Sequence, residues 1–200
     1  MRLRFFSLIF LAIAALGSRD TAFAADEVPS EIQPFVEVGT IPISISRTDL
    51  NGDGLDDFVL VLERQKSKES DPDIQEGQRP FLILVRQADS SIKEAKRNTK
   101  IVYCSTCGGM MGDPFEGIEV SPKTFTVSHY GGSAWRWSTS YQFNYSRKDN
   151  TWQLVKIEES HFHAAEPEQM ETKIYTPPKH FGKIDIADFD PENWKNIGSR

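Results

Sequence analysis

The most specific chemical pattern in this sequence is a short acidic segment, residues 49–57, called here the acidic loop. Side chains with oxygen donors occupy its first, third, fifth and ninth positions: Asp49, Asn51, Asp53 and Asp57. Gly54 holds the sixth position, where a sharp turn favours a residue without a Cβ atom. Calcium prefers about six to eight oxygen ligands. The spacing therefore predicts a calcium site, with the main-chain carbonyl of Leu55 as a further ligand.

A second interpretation of the acidic loop stays open. Asn and Asp side chains often accept hydrogen bonds from their own backbone in turns, without any ion. A helical EF-hand is disfavoured, because its twelfth position carries a bidentate Glu and that position here is Leu60. Leu60 lies in the apolar run 58–62, which is typical of a buried strand. The sequence thus favours a loop that leads directly into a β-strand.

The acidic loop resembles the Asp-x-Asn-x-Asp-Gly-x-x-Asp loops of secreted repeat proteins of the FG-GAP and VCBS type. In those families the loop precedes a short hydrophobic strand, as it does here. The resemblance implies that Asp49, Asn51, Asp53 and Asp57 are calcium ligands. It covers a single copy, so it does not imply a propeller, which needs several blades. The ion is expected to be structural, because carboxylates crowded into one turn repel each other without it.

The two cysteines, Cys104 and Cys107, are separated by two residues. In an oxidising compartment such a pair is expected to form a disulfide. Two alternatives remain open. The spacing also occurs in redox dithiols and in half-sites for zinc, and His161 with His163 would complete a zinc or copper site.

The segment 129–137 is rich in side chains that can bind or react. A pair of glycines at 131 and 132 predicts a tight hairpin turn, and aromatic residues alternate after it. The main interpretation is a hairpin whose aromatic side chains form part of the core. Two alternatives are a sugar- or peptide-binding surface and a catalytic site with His129 as base. The candidate ligand-binding residues are His129, Trp135, Arg136 and Trp137.

The elements that must position these groups are mostly strands. Apolar runs at 58–62 and 81–85 predict strands buried on both faces, and alternation over 135–145 predicts a strand with one buried face. Residues 90–96 predict a brief helical turn with a serine cap. We therefore expect a mainly β fold, a single antiparallel twisted-sheet domain forming a sandwich or half-barrel, with few short helical turns. Residues 66–79 predict a solvated, mobile loop, and spaced apolar residues in 181–194 predict a tail that docks onto the domain.

The first 24 residues have the pattern of a secretory signal peptide. Basic residues precede an apolar run, and a small-x-small motif predicts cleavage after Ala24. Residues 25–200 are then expected to form a single β-rich domain that is secreted or periplasmic, without a transmembrane anchor. The formal net charge of −6 disfavours a nucleic-acid partner.

These features together predict an exported, calcium-stabilised β domain with a non-enzymatic binding or structural role at the cell envelope. Its partner is expected to be a protein or a carbohydrate that the sequence does not identify. One alternative is a thiol- or metal-handling envelope protein that uses Cys104, Cys107, His161 and His163. Another is a hydrolase of envelope polymers. The chain also resembles uncharacterised exported bacterial proteins of this length with a similar aromatic hairpin, a likeness that implies no activity.

Overall fold

The described residues contain nine antiparallel strands in two sheets, which confirms the mainly β prediction. The computed structural model describes residues 28–65 and 77–196. In each sheet every strand pairs with its neighbour in the chain, so both sheets are simple meanders. The first sheet contains β1 (Thr40–Thr48), β2 (Asp57–Arg64), β3 (Phe81–Arg86) and β4 (Ile92–Asn98). The second contains β5 (Phe115–Ser121), β6 (Thr124–Gly132), β7 (Trp135–Ser146), β8 (Thr151–His163) and β9 (Glu166–Tyr175).

The centre of the first sheet is buried on both faces, as the continuous apolar runs in β2 and β3 predict. One face, which includes Val59 and Ile83, joins a core shared with the second sheet. The other face, which includes Leu60 and Leu82, packs with Ile32 from the segment before β1. Alternate residues of a strand point to opposite faces, so an unbroken apolar run requires a cover on each side.

The second sheet contributes the other half of the shared core. Phe125 of β6 lies against Phe81 of β3, with ring centroids 5.3 Å apart. The segment 181–194 docks onto this core as predicted, and the ring of Phe189 contacts that of Tyr141 at 4.9 Å. The aromatic alternation in β7 is only partly buried, because Tyr141 and Phe143 are enclosed whereas Trp135 is 68% exposed. The shared core thus ends before the Trp135 end of β7.

Residues 90–96 differ from the prediction of a helical turn. Ser90 adopts a left-handed conformation, with φ at 69°, and β4 begins two residues later. Strand β4 pairs with β3, from Arg86 opposite Ile92 to Phe81 opposite Asn98. Pairing with the open edge of a buried strand satisfies more backbone groups than one isolated helical turn would. Two 3-10 helices, Gln33–Phe35 and Trp194–Asn196, complete the described elements.

Two of the predicted segments fall wholly or partly outside the described residues. The signal peptide over residues 1–24 is one, and residues 66–76 of the predicted loop are the other. Arg79, at the end of that loop, is described and is only 1% exposed, so this part is buried rather than solvated. Within 28–65 and 77–196, no helix has the length and apolar character needed to span a membrane.

Candidate functional site

The acidic loop connects β1 to β2 at one end of the first sheet. Gly52 and Gly54 both adopt left-handed conformations, with φ values of 79° and 88°. Residues with a Cβ atom are strained in this region, so the turn favours glycine at both positions. A side chain at Gly52 would also collide with that of Lys123. The two glycines therefore determine the path of the loop, whereas the end of the Lys123 side chain is flexible and can move aside.

Carboxylate and amide side chains of the loop are turned toward its own backbone. The Asp49 carboxylate accepts hydrogen bonds from the amides of Gly52 at 2.6 Å, Asp53 at 3.2 Å and Gly54 at 3.0 Å. Asn51 Oδ1 accepts from the amide of Asp53 at 2.9 Å, and Asp53 Oδ1 accepts from that of Leu55 at 2.8 Å. These are the contacts of the ion-free interpretation, and they preorganise the loop. Each carboxylate retains lone pairs, because it has about four acceptor positions.

Asp57 is the only fully buried carboxylate among the described residues of the loop. Its Oδ2 accepts a hydrogen bond from the Leu50 amide and its Oδ1 one from the Arg86 amide, both at 2.9 Å. Burial raises the pKa of Asp57 to about 6, and the negative charges of Asp53 and Asp49 add to this, whereas the two amide hydrogen bonds oppose it. Asp57 therefore connects the loop to β3. Its raised pKa means that a negative charge on its carboxylate is unfavourable at this position.

The loop backbone is also bonded to the second sheet. Leu50 is fully buried in the shared core, and its carbonyl accepts a hydrogen bond from Trp152 Nε1 of β8 at 2.8 Å. The carbonyl of Asp49 accepts one from the amide of Lys123, in the turn between β5 and β6, at 2.9 Å. These two bonds connect the loop directly to the second sheet.

The carboxylates of the loop do not converge on one point. In residues 28–65 and 77–196, no group of three or more His, Cys, Asp or Glu side chains is arranged to hold a metal ion. Asp56 points elsewhere and pairs with Arg47 at 3.1 Å. The donor set of the loop consists entirely of oxygen atoms, which is the chemistry that calcium requires. The five predicted ligands thus supply the right atoms, in an arrangement stabilised by backbone hydrogen bonds.

The two sulfur atoms of Cys104 and Cys107 lie at disulfide distance, with Cα atoms 5.2 Å apart. The amide of Cys107 donates to the carbonyl of Cys104 at 3.0 Å, which closes a small turn. His163 instead lies against the ring of Trp135, with centroids 5.1 Å apart. Throughout the described part of the chain, no metal-holding group joins these cysteines to His161 and His163.

The four candidate ligand-binding residues of the 129–137 segment do not form one surface. His129 is 1% exposed and its ring stacks on that of Tyr103 at 4.3 Å. Trp135 is 68% exposed, and Trp137 and Arg136 are half-buried. A ligand on Trp135 would therefore not reach His129 without a rearrangement of the core.

His129 belongs to a buried polar centre that the sequence did not reveal. Its Nε2 accepts a hydrogen bond from the Tyr103 amide at 3.3 Å, whereas Nδ1 is buried and has no hydrogen-bond partner within the described residues. Burial lowers the pKa of His129 to about 4, and the nearby charge of Arg79 contributes. The ring is therefore neutral, and the accepted bond places its proton on Nδ1.

Arg79 is the cation of this centre, and sequence reasoning missed it. Its guanidinium binds Glu63 at 2.8 Å and also binds Asp113, while Nη1 donates to the Tyr103 carbonyl at 3.1 Å. The ion pair lowers the pKa of Asp113. Arg79 follows a charged stretch, which favours an exposed position. The one local feature that indicates burial is the apolar strand that begins after Pro80.

No protein-family model matches the chain, and comparisons with curated proteins and with solved structures give no significant match. The function is therefore inferred from the chemistry of the described residues.

Proposed function

We propose that this protein is an exported, non-enzymatic β domain stabilised by calcium at the acidic loop, with a binding or structural role at the cell envelope. One observation carries the proposal. The acidic loop is hydrogen-bonded to both sheets, through Trp152 in the second and Asp57 in the first. Among the described residues its carboxylates form no ion pair except at Asp56, although the end of the Lys123 side chain lies against Gly52. A divalent cation bound there would stabilise the junction of the whole domain.

The ion would be held by the Asp49, Asn51, Asp53 and Asp57 side chains and the Leu55 carbonyl. Asn51 Nδ2 donates a hydrogen bond to Asp53 Oδ2 at 2.9 Å, and this bond must break for Asp53 Oδ2 to bind an ion. The backbone amides that already bind Asp49 hold that carboxylate in place, so less conformational entropy is lost on binding. Calcium is favoured over magnesium, because magnesium retains its waters and requires octahedral geometry.

Two further observations favour this proposal over its alternatives. The Cys104 and Cys107 sulfurs lie at disulfide distance, so they do not supply the thiolates that a metal-handling role requires. His129, the base of the hydrolase alternative, is buried and accepts a backbone hydrogen bond at the nitrogen that would otherwise take a proton. Export is supported by the signal-peptide pattern over residues 1–24.

Thermal melting of the purified chain with calcium and with excess chelator tests the proposal. An ion that binds only the folded state stabilises it by about 2.7 kcal/mol at a concentration of about 100 times Kd. We therefore expect the melting temperature to rise with calcium and to fall to a constant value in chelator. Identical melting curves under the two conditions would refute the proposal.

A matched pair of variants localises the ion. Asp53→Asn removes a charge from a predicted ligand, and Asp56→Asn removes the same charge from the exposed neighbour that pairs with Arg47. We expect Asp53→Asn to weaken calcium binding at least about tenfold, equivalent to about 1.4 kcal/mol, and Asp56→Asn to change it less than about threefold. Calcium affinity is measured by calorimetric titration. An equal loss of affinity in the two variants would show that binding depends only on the net charge of the region.

A further inference from the structure

Strand β9 forms one edge of the second sheet. It pairs with β8 on one side, and no strand of the described residues lies on its other side. All its residues except Tyr175 are exposed, including Met170 at 54% and Ile174 at 53%. An edge strand presents unpaired backbone amides and carbonyls, which can pair with a strand of another chain. The outer edge of β9 is therefore a candidate interaction surface.

The other edge strands lie against other parts of the domain. The edge strands β1 and β5 are next to each other. At the end of β4, Asn98 Nδ2 donates to the tail carbonyls of Ile186 at 2.6 Å and Phe189 at 2.8 Å. Strand β9 contacts the tail at Tyr175, where the strand ends, and residues 166–174 remain exposed. Its edge is thus more accessible than those of the other three strands.

The regular part of β9 is its second half. Residues from Glu171 to Tyr175 pair in order with residues from His161 to Ile157 of β8, whereas the register shifts before Glu171. The first half also contains Pro167, which has no amide hydrogen to donate to a neighbouring strand. An added strand is therefore expected to pair mainly with the second half of β9.

Symmetry restricts how this half of β9 can pair with the β9 of a second copy. Residues opposite each other in an antiparallel pair have side chains on the same face of the sheet. In a symmetric pair the two-fold axis is perpendicular to the sheet, so one residue must lie opposite its own copy. A centre at Glu171 or at Lys173 places like charges opposite each other, and a centre after Lys173 leaves only a short ladder. The remaining centre is Thr172.

The register centred on Thr172 is complementary on both faces of the sheet. Glu171 lies opposite Lys173 of the second copy, and the two-fold axis repeats this pair of opposite charges. On the other face Met170, next to the regular part, lies opposite Ile174 of the second copy. Pairing would therefore bury apolar side chains that are half exposed in the single chain.

The charges at this edge have no ion-pair partner within the single chain. In the parts of the chain that are described, neither Glu171 nor Lys173 forms an ion pair, although Lys173 lies opposite Glu159 of β8 and Glu171 opposite His161. Charged residues on an edge strand oppose unselective pairing. In the register centred on Thr172 the same charges attract each other, so they select one partner and one alignment.

We propose that two copies of this protein associate through β9, in an antiparallel pair centred on Thr172 that joins their second sheets into one continuous sheet. The partner is a second copy because both complementary pairs come from residues of the same strand. The acidic loop takes no part, so the association goes beyond the proposed function and does not require calcium. A single short ladder is a small interface, and we therefore expect weak, reversible association.

Sedimentation equilibrium of the purified chain from about 1 µM to about 500 µM tests this association. We expect a monomer–dimer equilibrium with the same dissociation constant in calcium and in chelator. Lys173→Glu and Glu171→Lys each place like charges opposite each other, and each should weaken the dimer at least about tenfold. The matched control Lys148→Glu makes the same charge change at an exposed residue of the β7–β8 turn, and should weaken it less than about threefold.

An equimolar mixture of Lys173→Glu and Glu171→Lys chains tests the pairing without relying on a loss. In the mixed pair every glutamate at these positions lies opposite a lysine, so the mixture should dimerise where each variant alone does not.

The register is tested by Thr172→Cys, which places two thiols opposite each other. Oxidation by diamide should join them in a disulfide, whereas the thiols of Met170→Cys lie too far apart to be joined. A chain that stays monomeric over the whole range overturns the inference, as does a dimer that both charge reversals leave unchanged or a mixture that stays monomeric. Preferential cross-linking of Met170→Cys also overturns it. None of these results bears on calcium binding, so the proposed function is tested separately.

Discussion

The acidic loop and the Arg79 centre both bring carboxylates close together, but different groups stabilise these carboxylates. At the Arg79 centre, one fully buried guanidinium lies between two partly exposed carboxylates, so the buried positive charge is paired. In the acidic loop, carboxylates share one short turn and are satisfied by backbone amides instead of cations. The first arrangement pairs its buried charge without a ligand, whereas the second concentrates negative charge that, among the described residues, has no cation close enough to form an ion pair, except at Asp56.

This difference follows from burial. A charge inside a protein must be paired, because its desolvation is too unfavourable otherwise. Asp49 and Asp53 lie nearer the surface, where water and salt screen unbalanced charge, whereas the buried Asp57 is stabilised by two backbone amides. The comparison therefore predicts large, ion-independent effects at the Arg79 centre and smaller effects at the loop that are linked to calcium.

The largest effect is expected for Arg79→Met. Removal of the cation leaves Glu63 and Asp113 facing each other at the edge of the core and the Tyr103 carbonyl without a donor. The remaining carboxylates are 27% and 47% exposed, so the loss comes mainly from the charge-assisted hydrogen bonds and the unsatisfied carbonyl, and we expect about 3 kcal/mol. Urea unfolding with and without calcium should show this loss under both conditions.

The control for Arg79→Met is Arg64→Met. Arg64 and Glu37 form an ion pair at 3.1 Å, with both side chains 30% exposed. Its loss should change stability by less than about 1 kcal/mol. Similar losses in the two variants would show that burial does not distinguish these pairs.

The pH dependence of stability should report on His129. Its pKa in the folded state, about 4, lies below the ordinary value of 6.5, so the unfolded chain binds a proton first as the pH falls. The stability of the folded state therefore does not depend on this group above pH 6.5. It decreases as the pH falls from 6.5 to about 4. From about pH 7.5 to pH 5, the expected loss is about 2 kcal/mol.

His129→Gln isolates this effect, because glutamine does not titrate and retains an acceptor for the Tyr103 amide. Urea unfolding across the pH range should show a shallower dependence than in the parent chain. His161→Gln is the control, since His161 is exposed on β8, and should retain the full dependence. If both variants lose the dependence equally, the buried centre is not its source.

An effect of similar size is expected for Trp152→Phe. The substitution removes the hydrogen bond that joins Leu50 of the acidic loop to the second sheet, and it shortens a buried ring. We expect about 2 kcal/mol of destabilisation, together with weaker calcium binding. Trp135→Phe, at an exposed ring, should change stability by less than about 0.5 kcal/mol. Unaltered calcium affinity in Trp152→Phe would separate the ion site from the junction between the sheets.

Much of the fold could be predicted because its signals are local. The apolar runs in β2 and β3 indicate strands covered on both faces, and the spaced apolar residues in 181–194 indicate a docked tail, whatever the partners are. The prediction for residues 90–96 was wrong, because a short polar segment has weak intrinsic preferences and takes the structure of the edge it joins. Arg79 was missed for a related reason, since its partners Glu63 and Asp113 are distant in sequence.

The sequence by itself determined the central buried strands, the turn at Gly54 of the acidic loop and its set of oxygen donors, because these depend on residue type and close spacing. Only the tertiary structure decided that the loop is bonded to both sheets and that His129 is buried while Trp135 is exposed. These contacts join segments that are distant in sequence, and the packing of the two sheets decides which of those segments lie together. Pairing and burial of charge are therefore properties of the folded chain.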